Sequence, residues 1–466
     1  MSKNNKNNIA LYAQSFVSQI RYNYETMKER YEANIIDGIE NALFFYNPWW
    51  VKKMPFYLVK RYKREVFYKI KEYLNLNRIV VIKGPRRVGK TTVMYQLIDY
   101  LLQEVKPEEI LYVPFDDPKL TDIDKIIDFY QSKILKASLD EKKTYLFLDE
   151  VQYLENWQYL VKKYYDRNYP IKFIVSGSSA TLIRKGTESL MGRTIEEILL
   201  PFSFKEFFQY RFKKKIVLSL DKLNLIEIKR YERAAKILFE EYLLKGGFPN
   251  IFEIKEIELW QKVIKEDVID KAIYRDIVTL YDIKNPLLLE KLFLYLVGIT
   301  GQILNVNNIS RSIGLSRAYV NKYLFYLKNA YFILGVKKYA KSIEKIIKSN
   351  EKVYVLDSAI INSLLNKTRV DENFAGHLVE SVVAEHLIMY ECYYWRNYYE
   401  VDFIVKIKNR LVPIEVKYRS KINKKDLKGL VRFMEIFNVN KGFIITKDFF
   451  KKEEIDLVFI EEAPLH

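Results

Sequence analysis

The feature that most constrains this chain is a glycine-rich loop that follows a short apolar stretch. The loop reads Gly84-Pro-Arg-Arg-Val-Gly-Lys-Thr-Thr92, after the apolar residues Ile79–Ile82. Its glycines allow backbone N–H groups to turn inward on phosphates, Lys90 can reach the β- and γ-phosphate oxygens, and the Thr91 hydroxyl can bind Mg²⁺. A helical pattern follows, and the amino end of a helix favours an anion. The loop therefore predicts a site for a nucleoside triphosphate, taken to be ATP with Mg²⁺. Its predicted nucleotide-binding residues are Gly84, Pro85, Arg86, Arg87, Val88, Gly89, Lys90, Thr91 and Thr92.

Short apolar strands alternate with helical stretches around this loop. Such alternation predicts an α/β fold in which helices cover both faces of a parallel sheet. The predicted strands are Ile79–Ile82, Ile110–Pro114, Tyr145–Leu148, Phe173–Val175 and Ile195–Leu199.

Two carboxylates follow the third of these strands. At a strand end, Asp149 can hold Mg²⁺ through water, and Glu150 can polarise the attacking water, as in a Walker B element. The next strand ends at Ser176, which either senses the γ-phosphate and orients water or caps a helix.

Arg193, directly before the fifth strand, is the candidate arginine finger for the γ-phosphate of a neighbouring subunit. Arg184 is the alternative, and an ordinary surface salt bridge is open for either arginine.

The composition favours some partners and excludes some sites. The formal charge of +18 favours a polyanion such as nucleic acid or an anionic membrane, although abundant lysine can also reflect the proteome of the source. One cysteine and three histidines exclude an internal disulfide and leave no Cys/His zinc site, so oxygen ligands are expected for any metal. With no long apolar run and a polar Met1–Asn8, the expected compartment is the cytoplasm, without membrane association.

The chain is predicted to contain five consecutive modules. The first eight residues are expected to be disordered, and a tyrosine-rich helix is expected from Ile9 to about Ala42. Strand signals stop after Pro201 and are expected to return after Lys352. The predicted modules are a helical segment at 1–76, the ATPase core at 77–200, a helical lid at 201–296, a winged helix at 297–345 and a nuclease-like domain at 346–466.

Several motifs together resemble the archaeal and bacterial AAA-type ATPases that carry a C-terminal domain of uncertain function. Besides the phosphate loop, they are Asn47-Pro-Trp-Trp50, Leu148-Asp-Glu-Val-Gln152, Ser176-Gly-Ser-Ser179, Gly192-Arg193, Pro201-Phe-Ser-Phe-Lys-Glu-Phe207 and Gly246-Gly-Phe-Pro249. The resemblance covers the chain from about Phe44. In the signal-transducing branch of these ATPases a Gly-x-Pro turn contacts the base, which implies that role for Gly247 and Pro249. A plain turn is equally compatible with those residues.

Residues 307–328 have the pattern of two short helices joined at Gly314. Ser316 is predicted to cap the second helix, and Ile309, Ile313, Leu315, Val320, Leu324 and Leu327 are predicted to form the core. The resembled family places a winged helix here, and such modules bind DNA or pack against protein. The candidate DNA-contacting residues are Ser316, Arg317, Tyr319, Asn321 and Lys322.

Glu380, Asp402, Glu415 and Lys417 follow one another in the order of a PD-(D/E)XK nuclease site. If Lys408 and Asn409 form a two-residue hairpin turn, Phe403 faces Ile414, Val405 faces Val412, Asp402 faces Glu415 and Glu400 faces Lys417. Opposed carboxylates repel each other, and a Mg²⁺ bound by Glu380, Asp402 and Glu415 would remove that repulsion, with Lys417 orienting water. The alternatives are a nuclease-like fold without activity and a surface hairpin with an ordinary ion pair between Glu400 and Lys417.

The sequence as a whole predicts a Mg²⁺-dependent AAA-type ATPase that couples ATP binding and hydrolysis to DNA binding or processing. DNA and further copies of the same chain are the expected partners, and a different protein partner is a further option. The alternatives are a nucleotide-gated signalling switch and an ATP-controlled DNA-binding regulator whose nuclease-like domain is inactive.

Overall fold

The protein is described by a computed structural model that covers residues 38–178, 190–213, 225–447, 451–455 and 458–464. The chain divides into two compact units. The first holds the described residues of 1–82, 91–177 and 186–197, and the second holds those of 83–90, 178–185 and 198–466. Among the described residues, no helix combines the length and the apolarity needed to cross a bilayer. Of the helix predicted over 9–42, residues 38–42 are helical, and the rest lies outside the described residues, as do the first eight.

A five-stranded sheet forms the centre of the first unit. Its strands lie in the order β2-β3-β4-β1-β5. β2 with β3 and β3 with β4 are parallel, and the bonds from Ile79 N to Arg193 O and from Leu199 N to Lys83 O show that β1 and β5 also run in one direction. The strands are β1 (Ile79–Lys83), β2 (Ile110–Pro114), β3 (Thr144–Asp149), β4 (Ile171–Gly177) and β5 (Thr194–Ile198). The predicted parallel α/β core is confirmed, with all five strands.

Helices precede and connect these strands. Buried apolar side chains fill β1 to β4, as expected for a sheet covered on both faces. The helices are a helix over 38–46, Glu65–Tyr73, Lys90–Leu101, Ile123–Phe129 and Trp157–Asp166, with a π-helical stretch at Tyr130–Leu135.

The Asn47-Pro-Trp-Trp50 motif covers the open edge of β2. The Asn47 side chain accepts from Tyr112 N at 2.7 Å and donates to Tyr112 O at 2.9 Å, as a neighbouring strand would. The indole N–H groups of Trp49 and Trp50 both donate to Ile110 O, at 3.2 and 2.9 Å. The motif therefore satisfies backbone groups that an edge strand otherwise leaves unpaired.

The second unit is helical between β5 and the next strand along the chain, among the residues described there. This confirms the prediction that strand signals stop after Pro201. Its helices there are Phe204–Phe212, Leu225–Lys245, Ile257–Val263, Val278–Tyr281 and Pro286–Gly298, with a π-helical stretch at Ile264–Ile277.

The predicted helix pair is present at Val306–Ile313 and Arg317–Asn329. Gly314 lies between the helices, and the Ser316 hydroxyl accepts from Tyr319 N at 3.4 Å, which confirms the predicted cap. Five of the six predicted core side chains are buried, and Ile313 is half-buried.

A mixed nine-stranded sheet occupies the rest of the second unit, in the order β13-β14-β12-β11-β10-β9-β7-β8-β6. The strands are β6 (Gln302–Ile303), β7 (Ile333–Lys338), β8 (Lys352–Val355), β9 (Glu391–Arg396), β10 (Glu400–Ile407), β11 (Arg410–Lys417), β12 (Lys441–Thr446), β13 (Lys451–Ile455) and β14 (Val458–Pro464). The remaining helices are Ile343–Ile347, Ser358–Leu364, Glu372–Leu387 and Lys424–Phe437.

Two of these strands were not expected. The prediction that strands return only after Lys352 is wrong, because β6 and β7 precede it. β6 has two residues and β7 contains Gly335, so neither carries a strong strand signal. β7 pairs with β9 in parallel, which joins strands from both sides of the predicted boundary at 345/346 in one sheet. The five module boundaries stay predictions.

Candidate functional site

The phosphate loop, residues 84–92, holds its own lysine. Lys90 Nζ donates to Gly84 O at 3.1 Å and Pro85 O at 2.9 Å, and the side chain is buried. A Cβ on Gly84 would overlap the carbonyl oxygen of Leu199, so only glycine fits at this position. The loop curls around the Lys90 amine, which is where phosphate oxygens would be met.

Thr91, the next residue, contacts the end of β3. Its hydroxyl donates to Asp149 Oδ2 at 2.7 Å. Asp149 also accepts from the Tyr112 hydroxyl at 2.8 Å and from the Ser176 hydroxyl. Burial, and then the charge of Glu150, raise the pKa of Asp149, while the three hydroxyl donors oppose that rise. A bound cation would favour the charged carboxylate.

Glu150 lies beside Asp149 in a left-handed backbone conformation, with φ 51°. Its N–H donates to Asp149 Oδ1 at 3.1 Å and to the Ser176 hydroxyl at 3.3 Å, and its carboxylate accepts from the Gln152 amide. The predicted residues Thr91, Asp149, Glu150 and Ser176 are therefore brought together. Their catalytic roles stay predictions.

Tyr112 also contacts Asp149, a contact that the sequence analysis did not predict. It is a buried residue in the middle of β2, and its hydroxyl donates to Asp149 at the end of the neighbouring strand, β3. Asn47 fixes the same residue through its backbone. A tyrosine within an otherwise aliphatic strand is a weak signal, because tyrosine is common in strands.

Both arginines of the phosphate loop pair with aspartates of the π-helical stretch at Ile264–Ile277. Arg86 forms a two-pronged pair with Asp276, with Nε to Oδ2 and Nη2 to Oδ1 both at 2.6 Å. Arg87 Nη2 lies 3.0 Å from Asp267 Oδ2. The Asp276 side chain is 5% exposed, so the Arg86 pair is largely shielded from water, whereas Arg87 is 50% exposed. Neither aspartate was predicted.

Arg193 lies directly before β5, as predicted. Its side chain pairs with Asp166, with Nε to Oδ1 at 2.6 Å and Nη2 to Oδ2 at 3.2 Å. Within one chain Arg193 thus forms a surface salt bridge, the open alternative, and its role as an arginine finger stays a prediction. Arg184 lies outside the described residues.

Gly247 and Pro249, the predicted base-contacting residues, lie in a turn that packs against Phe202 and Asp357. Gly247 N donates to Asp357 Oδ2 at 2.6 Å, and Gly247 O accepts from Phe202 N at 2.7 Å. Pro249 begins a short 3₁₀ turn that ends at Ile251. Packing alone accounts for the glycine, because a Cβ at Gly247 would overlap Phe202 O. Base contact stays a prediction.

Asp357, which the sequence analysis missed, gives this turn a pH-dependent stability. Burial raises its pKa from 3.8 to about 7, against the hydrogen bonds from Gly247 and Ala359. The folded chain therefore keeps a proton that the unfolded chain releases, so this contribution to stability is complete below the ordinary pKa. It is lost as the pH rises through about 7, at about 1.4 kcal/mol per unit of pKa difference.

We expect the free energy of unfolding to decrease between about pH 5 and pH 8, and Asp357→Asn to reduce that decrease. Urea unfolding at several pH values measures the effect. Asp371 is a matched control, because it also caps a helix but its pKa is lowered, so Asp371→Asn should leave the decrease intact. Equal pH dependence in the wild type and Asp357→Asn would contradict the assignment.

The candidate DNA-contacting residues of the second helix in the pair are all exposed. They are Ser316, Arg317, Tyr319, Asn321 and Lys322. Tyr319 and Lys322 lie near each other, with the ammonium 6.0 Å from the ring centroid. A basic face with an aromatic side chain suits a phosphate backbone, and DNA binding by it stays a prediction.

The predicted hairpin, formed by β10 and β11, has the predicted register. Phe403 pairs with Ile414 and Val405 with Val412, and Lys408 has a positive φ of 55°, as a tight turn requires. Directly beyond these pairs, Val416 N donates to Asp402 Oδ2 at 3.0 Å and Asp402 N donates to Glu415 Oε2 at 3.3 Å. Asp402 and Glu415 are therefore neighbours.

The C-terminal acidic centre consists of Glu380, Glu400, Asp402 and Glu415 with two lysines. Lys417 pairs with Glu415, and its Nζ lies 4.0 Å from Asp402 Oδ2. Lys352, which the sequence analysis missed, lies 2.9 Å from Asp402, 2.8 Å from Glu400 and 3.3 Å from Glu380. Glu400 therefore pairs with Lys352 rather than Lys417. Among the described residues, no group of three or more His, Cys, Asp and Glu side chains is arranged to hold a metal ion.

The carboxylates of this centre differ in their pKa values. Burial and the charge of Asp402 raise the pKa of Glu415 to about 8 and that of Glu380 to about 7. The pKa of Asp402 is lowered: its burial acts in the opposite direction, and Lys352 and then Lys417 outweigh that. The two lysines thus favour the charged form of Asp402. Metal binding by Glu380, Asp402 and Glu415, with Lys417 as the water-orienting residue, stays a prediction.

Part of the chain is similar to a known family of domains. Residues 76–208 match the family described as "AAA domain". The phosphate loop and all five strands of the parallel sheet lie within the matched residues. Two further stretches match families described as domains of unknown function, residues 236–371 matching DUF8612 and residues 375–461 matching DUF4143.

Two proteins are similar to this chain along most of its length. An uncharacterized protein of Haemophilus influenzae is 26% identical over 401 residues, which cover 83% of this chain and 93% of that protein. An uncharacterized protein of Methanocaldococcus jannaschii is 28% identical over 392 residues, which cover 80% of this chain and 83% of that protein.

Solved structures show a weaker likeness. The Aeropyrum pernix ORC2 protein in its ADP form is 13% identical with a TM-score of 0.32, over 73% of this chain and 98% of that one. AMPPCP-bound DnaA from Aquifex aeolicus is 14% identical with a TM-score of 0.25, over 57% of this chain and 86% of that one.

Proposed function

We propose that this protein is a Mg²⁺-dependent ATPase that couples ATP binding and hydrolysis to the binding of DNA. The observation that carries the ATPase assignment is the contact between the Thr91 hydroxyl and Asp149 Oδ2 at 2.7 Å. It joins the end of the phosphate loop to the carboxylate at the end of β3. A hydroxyl and a carboxylate are the oxygen ligands that Mg²⁺ prefers, so these residues fit the ion.

Each residue of the site has a defined task in this proposal. Lys90 binds the β- and γ-phosphate oxygens, and Thr91 and Asp149 hold Mg²⁺. The ion, when bound, supplies positive charge that offsets the charge of the phosphates. Glu150 polarises the attacking water, and Ser176 fixes the positions of Asp149 and Glu150 through its hydroxyl.

Three further residues are proposed to contact nucleotide, one of them in a neighbouring copy of the chain. Arg193 would act as an arginine finger on the γ-phosphate bound by a neighbouring copy of the chain. Arg193 would have to break its ion pair with Asp166 to do so. This costs little, because the Arg193 side chain is 30% exposed and a solvated ion pair contributes about 1 kcal/mol or less. Gly247 and Pro249 are proposed to border the base of the nucleotide.

The test of the Mg²⁺ site is the substitution Thr91→Val, which keeps the shape of the side chain and removes its hydroxyl. We expect the Mg²⁺ concentration for half-maximal ATP turnover to rise about tenfold or more, because the ion loses an oxygen ligand, and changes next to metal ligands already lower metal affinity by about 10- to 100-fold. Exposed Thr121, changed to Val, is the control. Turnover that is independent of Mg²⁺, or equal Mg²⁺ requirements in the two variants, would refute the proposal.

DNA is the proposed polyanionic partner, and the exposed face of helix Arg317–Asn329 is its proposed binding surface. The basic charge of +18 and the exposure of Arg317, Asn321 and Lys322 support this. We expect the affinity for duplex DNA to fall steeply with salt, and Arg317→Ala and Lys322→Ala each to reduce the slope of log affinity against log salt by about 1. Fluorescence anisotropy with labelled duplex measures the slope. Lys428→Ala removes an exposed lysine elsewhere and should leave the slope unchanged.

A nucleotide-gated switch is the second candidate function. It is supported by the pairs that join Arg86 and Arg87 of the phosphate loop to Asp276 and Asp267. In this alternative, binding of ATP rather than its turnover changes the helical part of the second unit. Glu150→Gln separates the two candidates, because a switch responds to ATP in this variant, whereas a hydrolysis-coupled process stops.

A further inference from the structure

We propose that Lys352 takes the place of a divalent cation at the C-terminal acidic centre, so that this centre has nuclease-type residues but holds no catalytic metal. The proposal goes beyond the ATPase and DNA-binding function and does not depend on it. It concerns the three carboxylates that a nuclease site would use, Glu380, Asp402 and Glu415. Their oxygens already accept hydrogen bonds from groups of the chain itself.

The position of the Lys352 amine is the first observation. Its Nζ lies 2.9 Å from Asp402 Oδ1, 2.8 Å from Glu400 Oε1 and 3.3 Å from Glu380 Oε2. An ammonium has three N–H donors, and here it meets three carboxylates. The side chain of Lys352 is 4% exposed, so water does not compete for these contacts. A cation of the protein thus contacts two of the three carboxylates that a metal would use, Asp402 and Glu380.

The remaining oxygens of Asp402 and Glu415 are also engaged. Asp402 Oδ2 accepts from Val416 N at 3.0 Å. Glu415 Oε2 accepts from Asp402 N at 3.3 Å, and Glu415 Oε1 accepts from Lys417 Nζ. Mg²⁺ requires oxygen ligands at about 2.0–2.1 Å in near-octahedral geometry. Binding it here would require breaking these bonds and expelling a buried lysine.

Lys352 and the carboxylates of the C-terminal acidic centre lie on different elements of the fold. It begins β8, a strand that supplies none of the carboxylates. Glu380 comes from helix Glu372–Leu387, Glu400 and Asp402 from β10, and Glu415 from β11. Lys352 and Tyr354 share one face of β8, and the Tyr354 hydroxyl also lies 3.3 Å from Glu380 Oε2. The centre therefore joins three strands and a helix through ion pairs, which is a structural role.

The experiment counts Mn²⁺ bound to the full-length chain without nucleotide, by electron paramagnetic resonance. We expect the wild type and Asp402→Asn to bind the same amount, because the centre binds none. Lys352→Met removes the ammonium and keeps the length of the apolar part of the side chain. It should gain one Mn²⁺ per chain, and the double variant Lys352→Met/Asp402→Asn should lose it.

Lys328 provides a matched control, because it is another ion-paired lysine of the same unit, bound to Glu351. Lys328→Met should gain no Mn²⁺. Greater Mn²⁺ binding by the wild type than by Asp402→Asn would overturn the proposal. A folded Lys352→Met that gains no Mn²⁺ would also overturn it, because the lysine would then not be what excludes the ion. If circular dichroism shows that Lys352→Met does not fold, wild type against Asp402→Asn and against Glu380→Gln decides the question.

Discussion

The substitution Glu150→Gln is expected to lower the rate of ATP turnover about 10²- to 10⁴-fold while ATP still binds. The amide keeps the size of the side chain but cannot take a proton from the attacking water. The Glu150 N–H bonds to Asp149 and Ser176 come from the backbone and should survive the change. Steady-state turnover and equilibrium binding of a fluorescent ATP analogue measure the two properties separately.

Lys90→Ala provides the contrast to Glu150→Gln. It removes the cation for the β- and γ-phosphates, so both ATP binding and turnover should be lost. Glu155, an exposed carboxylate five residues beyond Glu150, is the control, and Glu155→Gln should behave like the wild type. Wild-type turnover in both Glu150→Gln and Lys90→Ala would show that hydrolysis occurs elsewhere or not at all.

Loss of Arg86 is expected to destabilise the nucleotide-free protein by about 3–5 kcal/mol, because it leaves Asp276 as a buried carboxylate without its partner. The Asp276 side chain is 5% exposed and that of Arg86 16%, so solvent screening is small. Urea unfolding of Arg86→Ala measures the loss. In the double variant Arg86→Met/Asp276→Leu the loss should be much smaller, because no buried charge remains.

The neighbouring pair of Arg87 and Asp267 is the control for this effect. Arg87 is 50% exposed, so Arg87→Ala should cost about 1 kcal/mol or less. Equal losses for Arg86→Ala and Arg87→Ala would contradict the role of burial. For the buried pair, the loss of stability in Arg86→Met/Asp276→Leu is compared with the sum of the losses in Arg86→Met and Asp276→Leu. If the two are equal, the side chains of Arg86 and Asp276 are not coupled.

The predicted structural features that the structure contains depend on short stretches of sequence. The phosphate loop places Lys90 and Thr91 next to each other, and the strand that ends in Asp149 and Glu150 is continuous in the chain. The hairpin register was also predictable as far as the pair of Phe403 and Ile414, because a two-residue turn at Lys408 and Asn409 fixes the pairs next to it. Local geometry is enough in each case.

The missed residues reach their partners across long stretches of sequence. Asp276 is 190 residues from Arg86, and Lys352 is 50 residues from Asp402. No local pattern determines which buried aspartate or lysine meets which partner. The alternation of Lys352 and Tyr354 with Val353 and Val355 was the available signal, since it marks a polar face on a buried strand. It indicates a buried charge but does not identify the carboxylates around it.

The motif that covers β2 also limits how the protein can associate with itself. An uncovered edge strand is a template on which a strand from another molecule can add, and such addition leads to aggregation. Here Asn47, Trp49 and Trp50 already take the backbone groups of Ile110 and Tyr112. Growth of the sheet by strand addition at β2 is therefore blocked at these residues. Copies of the chain that assemble around a nucleotide would have to meet through side-chain surfaces and not through a shared sheet at that edge.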